Sequence, residues 1–122
     1  MTPAYLRHRA EIASILDERF HPLWWVEQQI SKGGIDLLAN ETAIIGLQLR
    51  TYPGGAKELH GMFAAGDKAG VKELVKQALA IGEAAGLTCA AIESRSGWER
   101  EFRDLGFVRD RVRIVKEYGN GA

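Results

Sequence analysis

Apolar residues recur at helical spacing twice near the start of this chain. Between Pro3 and Phe20, Tyr5, Leu6, Ile12, Ile15, Leu16 and Phe20 alternate with Arg7, Arg9, Glu11 and Glu18, a pattern that predicts an amphipathic helix. A second, shorter helix is expected from about Leu23 to Lys32, with Leu23, Val26 and Ile30 on one side and Gly33-Gly34 as its stop. Trp24 and Trp25 are adjacent, so they cannot both face inward. The pattern then changes period. Ile35–Leu38 and Thr42–Thr51 are rich in β-branched residues and read as strands joined by a turn at Asn40-Glu41. Tyr52-Pro53-Gly54-Gly55 is a stronger turn, because proline presets one dihedral and glycine accepts positive φ; it should reverse the chain into a third strand from Lys57 to about Ala65.

Helical spacing returns with Val71, Leu74, Val75, Ala78, Leu79 and Gly82, opposite Lys72, Glu73, Lys76 and Glu83, and Gly86 stands where a left-handed cap belongs. Thr88–Glu93 is a short run without polar alternation, which predicts a central strand covered on both faces. Ser96–Leu105 should be a short helix with Trp98, Phe102 and Leu105 on one face, ended by Gly106; Ser96 and Glu99 form a capping box. Phe107 to about Tyr118 is expected to be the last strand, and Gly119–Ala122 a frayed tail. The predicted order is a mixed α/β layer, an antiparallel meander followed by helix, strand, helix and strand, over a single domain spanning 1–122.

Composition narrows the class. A hydrophobic fraction of 46% over 122 residues is enough for a core, and sixteen Lys and Arg balanced by sixteen Asp and Glu leave no overall field to draw nucleic acid or an anionic membrane surface. Arg109, Arg111 and Arg113 alternate along the last predicted strand, but Asp104, Asp110 and Glu117 lie nearby and no aromatics interleave, so a solvated face is expected there. Cys89 is the only cysteine; within its apolar run it reads as a small core residue, and with no disulfide or thiol cluster available a reducing cytoplasm fits. Charges interrupt the N-terminal apolar residues, so a soluble, unprocessed chain with no membrane span is expected. His8 and His21 have no partners at metal-ligand spacing, so no metal site is expected.

The stretch Ile92-Glu93-Ser94-Arg95-Ser96-Gly97-Trp98-Glu99-Arg100-Glu101-Phe102-Arg103-Asp104-Leu105-Gly106-Phe107 carries a resemblance. A strand end, a turn, a short helix and a Leu-Gly-Phe exit in this order resemble the C-terminal motif of the GNAT N-acetyltransferase superfamily, in particular small members from phages and prophages. The resemblance covers the element order of essentially the whole chain, with the first strand of that fold absent or shortened. It implies an acetyl-CoA-dependent N-acetyltransferase acting on an amine acceptor, in which backbone groups of Met62, Phe63, Ala64 and Ala65 hold the pantetheine and the following loop and helix start receive the pyrophosphate. The loop that matches is Gly66-Asp67-Lys68-Ala69-Gly70-Val71, with Lys68, Ala69 and Gly70 as cofactor-binding positions.

Several positions depart from the family pattern. The leading basic or amide residue of the loop is Gly66, and its later glycine positions read Ala69 and Val71. Asp67 is a strong helix N-cap whose carboxylate would compete with a phosphate for the same amides. The family's asparagine after the strand is Arg95, which could take a phosphate or carboxylate bidentately. Its tyrosine, whose hydroxyl protonates the departing thiolate, is Phe102; Tyr118 is the nearby tyrosine that would have to substitute. For a general base, strand alternation places Glu58, His60 and Met62 on one face and Leu59, Gly61 and Phe63 on the other. His60 beside Glu58 can take a proton from an amine near neutral pH, against the plainer reading of a solvent-facing polar pair. Glu93, at the end of a buried strand, is the other base candidate, since desolvation there would favour its protonated form. The rival expectation is a GNAT-fold protein without catalysis, an interaction or virion accessory module; strand edges and the tandem tryptophans also leave room for a homodimer.

Overall fold

The computed structural model describes residues 1–94 and 96–119, with the side chain of Ser96 outside the description. Helix α1 runs Pro3–Ile15 and α2 Leu23–Lys32; strands β1 (Asp36–Ala39), β2 (Ala43–Thr51) and β3 (Lys57–Gly66) follow, then α3 (Lys68–Ala84), β4 (Cys89–Ile92), α4 (Ser96–Glu101) and a 3-10 turn at Arg103–Leu105. The sheet is four-stranded in the order β1-β2-β3-β4. β1, β2 and β3 form the expected antiparallel meander, and β4 joins β3 in parallel after the α3 crossover. Among the described residues no strand precedes α1.

Local chemistry accounts for most boundaries. The Thr2 hydroxyl caps α1 by accepting from the Tyr5 amide. That helix stops at Ile15, short of Phe20, because Asp17 turns its carboxylate onto the Arg19 amide at 3.1 Å and so favours a turn over a further helical residue. Gly33 ends α2 at φ 81°, and Gly86 follows α3 at φ 70°, the left-handed conformation that glycine adopts without a Cβ penalty. Asn40 ties the first hairpin to α3: its Oδ1 accepts from the Thr42 and Ala43 amides, and its Nδ2 donates to the Gly70 carbonyl.

Core side chains lie on both faces of the sheet. On one face Ala43, Ile45, Leu47, Val71, Leu74, Val75, Ala78 and Phe102 pack together, with α3 as the cover. On the other, Tyr5, Ile12, Val26, Ile35, Ile44, Phe63 and Ala65 pack beneath α1 and α2, with Trp25 at the margin and Trp24 68% exposed. The register shifts between Gly46 and Leu47: Gly46 opposes Phe63 and Leu47 opposes Gly61, so Met62 is an extra residue in β3. This bulge corrects the predicted alternation. Phe63 joins the α1 face with His60 and Met62 rather than the face of Leu59 and Gly61. The Phe63 ring then lies over Gly46, where a Cβ would run into it. Gly46→Ala is expected to destabilise the fold by about 1–3 kcal/mol through overpacking, read as a lower denaturant midpoint with an unchanged slope.

The expected last strand does not form. Residues 107–118 take no strand or helix conformation, and Val108, Val112, Ile114 and Tyr118 are exposed. The segment is held instead by Arg109 to Glu99 at 2.7 Å, by the Arg19–Glu117 ion pair and by the Arg113 guanidinium 4.7 Å from the Phe20 ring centre. Of the arginine stripe, Arg111 pairs with its neighbour Asp110. Without that strand β4 is the sheet edge, which overturns its assignment as a central strand; Cys89 is exposed rather than a core residue. No helix of the described residues is long and apolar enough to cross a membrane.

Candidate active site

Parallel pairing between β3 and β4 runs from Glu58 opposite Cys89 to Gly61 opposite Ile92 and ends there, while β3 continues to Gly66. The bulge at Met62 lies where the pairing stops, next to Gly61, and β4 itself ends at Ile92. Beyond that point Phe63, Ala64 and Ala65 pair with β2 on one side only and the bulge residue Met62 with neither neighbour, so the edge of Met62–Ala65 toward β4 has no strand partner among the described residues. Unpaired strand backbone is a ready acceptor and donor for an amide-bearing chain such as pantetheine.

On the α1 face beside this opening lies a cavity of about 150 Å³ whose lining includes Leu16, His21, Arg50, His60, Met62 and Glu93. It gathers two of the expected base candidates, His60 and Glu93, in one place. His60 is 6% exposed, and its Nδ1 lies 2.9 Å from Oε2 of Glu58, which is itself largely buried. The pair is therefore no solvent-facing ornament on a half-exposed sheet. With Nδ1 carrying the proton toward the Glu58 carboxylate, Nε2 is the position left to accept one. Glu93, by contrast, is exposed just beyond the end of β4. His21 sits in the α1–α2 connection with its ring 5.2 Å from that of Trp25, and lines the same cavity.

The start of α3 differs from an open phosphate site. Gly66 has φ 111°, and a Cβ there would meet the Thr42 carbonyl oxygen and the Ala43 backbone, so no basic or amide side chain fits at the head of the loop. Its amide donates to Glu11 Oε2 of α1 at 2.6 Å. Asp67 caps the helix as expected: its Oδ1 accepts from the Gly70 amide at 2.6 Å and from the Thr42 hydroxyl at 3.1 Å. Two carboxylates thus occupy amides that a pyrophosphate would need. Lys68 is exposed and reaches Glu101 at 3.6 Å, Ala69 is exposed, and Gly70 is buried under the Asp67 and Thr42 side chains. The unpaired strand edge has backbone groups to offer a pantetheine arm, whereas the helix start has carboxylates where a diphosphate would sit.

Further along, Arg95 lies outside the described residues, as does the Ser96 side chain of the expected capping box. Phe102 is 3% exposed, its ring stacked 5.1 Å from Trp98 and tilted 5.6 Å from Phe107, so its position is spent on the core. Trp98 is only half-buried. Tyr118, the alternative hydroxyl, is exposed in the C-terminal segment. Sequence reasoning missed Arg50 and the placement of His21. Arg50 was within reach: a reversal at residues 52–55 sets Thr51 opposite Lys57 and Arg50 opposite Glu58, on the face that carries His60.

No family model matches the sequence, and no curated protein matches it. Solved structures do. An acetyltransferase of Trypanosoma brucei superposes with a TM-score of 0.67 at 14% identity, covering 97% of this chain and 96% of that one. A structure described as a transcriptional regulator from Bacillus halodurans gives a TM-score of 0.70 at 14% identity over 97% of this chain and 96% of that one. Glucosamine-6-phosphate N-acetyltransferase from Arabidopsis thaliana gives 0.65 at 11% identity over 94% and 92%. With near-complete coverage of both chains, and with an antiparallel β1–β3 meander joined in parallel by β4 after the α3 crossover, this chain has the GNAT fold.

Proposed function

We propose that this protein is an N-acyltransferase of the acetyltransferase type, moving an acetyl group from a pantetheine thioester to a primary amine. The observation that carries the reading is the buried Glu58–His60 pair, facing a cavity beside the unpaired edge of Met62–Ala65. The strand edge holds the pantetheine arm, and the amine enters from the α1 side. Glu58 fixes the His60 ring, and Nε2 takes the proton from the amine nitrogen as that nitrogen attacks the thioester carbonyl carbon. The new C–N bond forms, the C–S bond breaks, and the sulfur leaves as thiolate. With a thiol pKa of about 8.5 the leaving group needs no protein hydroxyl to depart at moderately alkaline pH, which fits a phenylalanine at position 102. His60 returns its proton to solvent through the cavity.

Because Glu11 and Asp67 hold the Gly66 and Gly70 amides, the diphosphate end of acetyl-CoA contributes little to binding. Calorimetric titration should therefore give acetyl-CoA and acetyl-pantetheine dissociation constants within about tenfold of each other, a difference under about 1.4 kcal/mol. Asp67→Gly should tighten acetyl-CoA by about two- to fivefold, the worth of removing one charge at a helix N-terminus, while leaving acetyl-pantetheine where it was. A donor bound through its diphosphate, with acetyl-pantetheine failing to bind, contradicts this reading. A second reading, an interaction module that has lost catalysis, is favoured by those same carboxylates and by the exposed apolar residues Val112 and Ile114; it expects neither donor to bind.

A further inference from the structure

Resting on the acyltransfer reading, we infer that the acceptor is a small amino acid, bound with its amine at His60 Nε2 and its carboxylate at Arg50. Arg50 is half-buried, whereas every other described arginine is exposed. Its guanidinium donates through Nε to Gln48 Oε1 at 3.2 Å and through Nη2 to the Met62 thioether at 3.5 Å, and it has no carboxylate partner among the described residues. Glu58, directly opposite in the ladder, turns its carboxylate to His60 instead. Asp17, which also lines the cavity, is taken by Arg19 at 2.8 Å. A partly desolvated guanidinium without an anion is costly, and its planar fork matches a carboxylate.

Placement restricts the ligand further. The cavity is shallow and opens to solvent, so a small ligand can reach Arg50 and His60 from outside. Arg50 and His60 line one wall, from neighbouring strands on the α1 face, so an amine and a carboxylate a few bonds apart can engage both. Leu16 and Met62 supply the apolar lining for a short side chain.

The experiment compares alanine and β-alanine with their amides and with phosphoethanolamine, using thiol release from acetyl-pantetheine by the wild-type chain and by Arg50→Gln. The amino acids should exceed their amides in kcat/KM by about ten- to a hundredfold, mostly through KM, and Arg50→Gln should erase that preference. Arg50→Lys, which keeps the charge without the fork, should restore it only in part. In parallel, alanine titrated into labelled protein should shift the Gly61 and Met62 amide resonances saturably in the wild type and not in Arg50→Gln. Amides accepted as well as acids, a preference for phosphoethanolamine, a preference that survives Arg50→Gln, or no resonance shift would each overturn the assignment. If no amine is acetylated, the acyltransfer reading falls while the resonance shifts still decide whether Arg50 holds a carboxylate.

Discussion

Replacing His60 by glutamine is expected to lower kcat/KM for amine-dependent thiol release by about 10²- to 10⁴-fold, the usual worth of a positioned general base. The loss should appear in kcat, because Nε2 acts on the amine proton only as the C–N bond forms. Glu58→Gln should give a smaller loss of the same kind, since it keeps a hydrogen-bond partner for Nδ1 and so still orients the ring. A thermal melt separates chemistry from folding, because His60 is buried and either substitution disturbs its surroundings. Amine-dependent release that persists in His60→Gln would move the base to Glu93, whose side chain also lines the cavity.

The largest stability effect belongs to Phe102. Its ring is buried in the cluster under α3, between Trp98 and Phe107, and ties the α4 segment to the sheet. Phe102→Ala should cost about 3–5 kcal/mol by denaturant unfolding. Trp98→Ala should cost less, because that side chain is only partly buried at the margin of the cluster. Phe102→Tyr is the informative partner variant: at this buried position a new hydroxyl without a partner should destabilise by about 1–3 kcal/mol and leave turnover without gain. Faster acyl transfer in Phe102→Tyr would show that the ring edge reaches the cleft after all.

The meander and the long helix were legible because each is written locally. The Tyr52–Gly55 turn, the apolar spacing from Val71 to Gly82 and the positive-φ glycines at 33, 86 and 106 each fix an element from adjacent residues. The bulge at Met62 was not, because one inserted residue reverses side-chain facing without altering composition, and with it the face assigned to Phe63. The segment from Phe107 carries strand-forming residues, yet its ion pairs and the Phe20 contact lead it across the α1–α2 connection instead of to the β4 edge. Propensity gave the wrong answer there because a strand needs a partner as well as suitable residues. At the site, the Glu58–His60 adjacency was visible from alternation, but its burial depended on α1 ending at Ile15 and the chain beyond it folding over the sheet. Glu11 reaching the Gly66 amide, 55 positions away, has no local signature at all.

The measurement that bears most directly on the central claim is thiol release from acetyl-pantetheine in the presence of a panel of primary amines, run side by side on the wild type and His60→Gln. The account predicts amine-dependent release by the wild type that falls to the buffer rate in the variant. Release that is no faster than buffer with every amine, or that is unchanged when His60 is replaced, would contradict it.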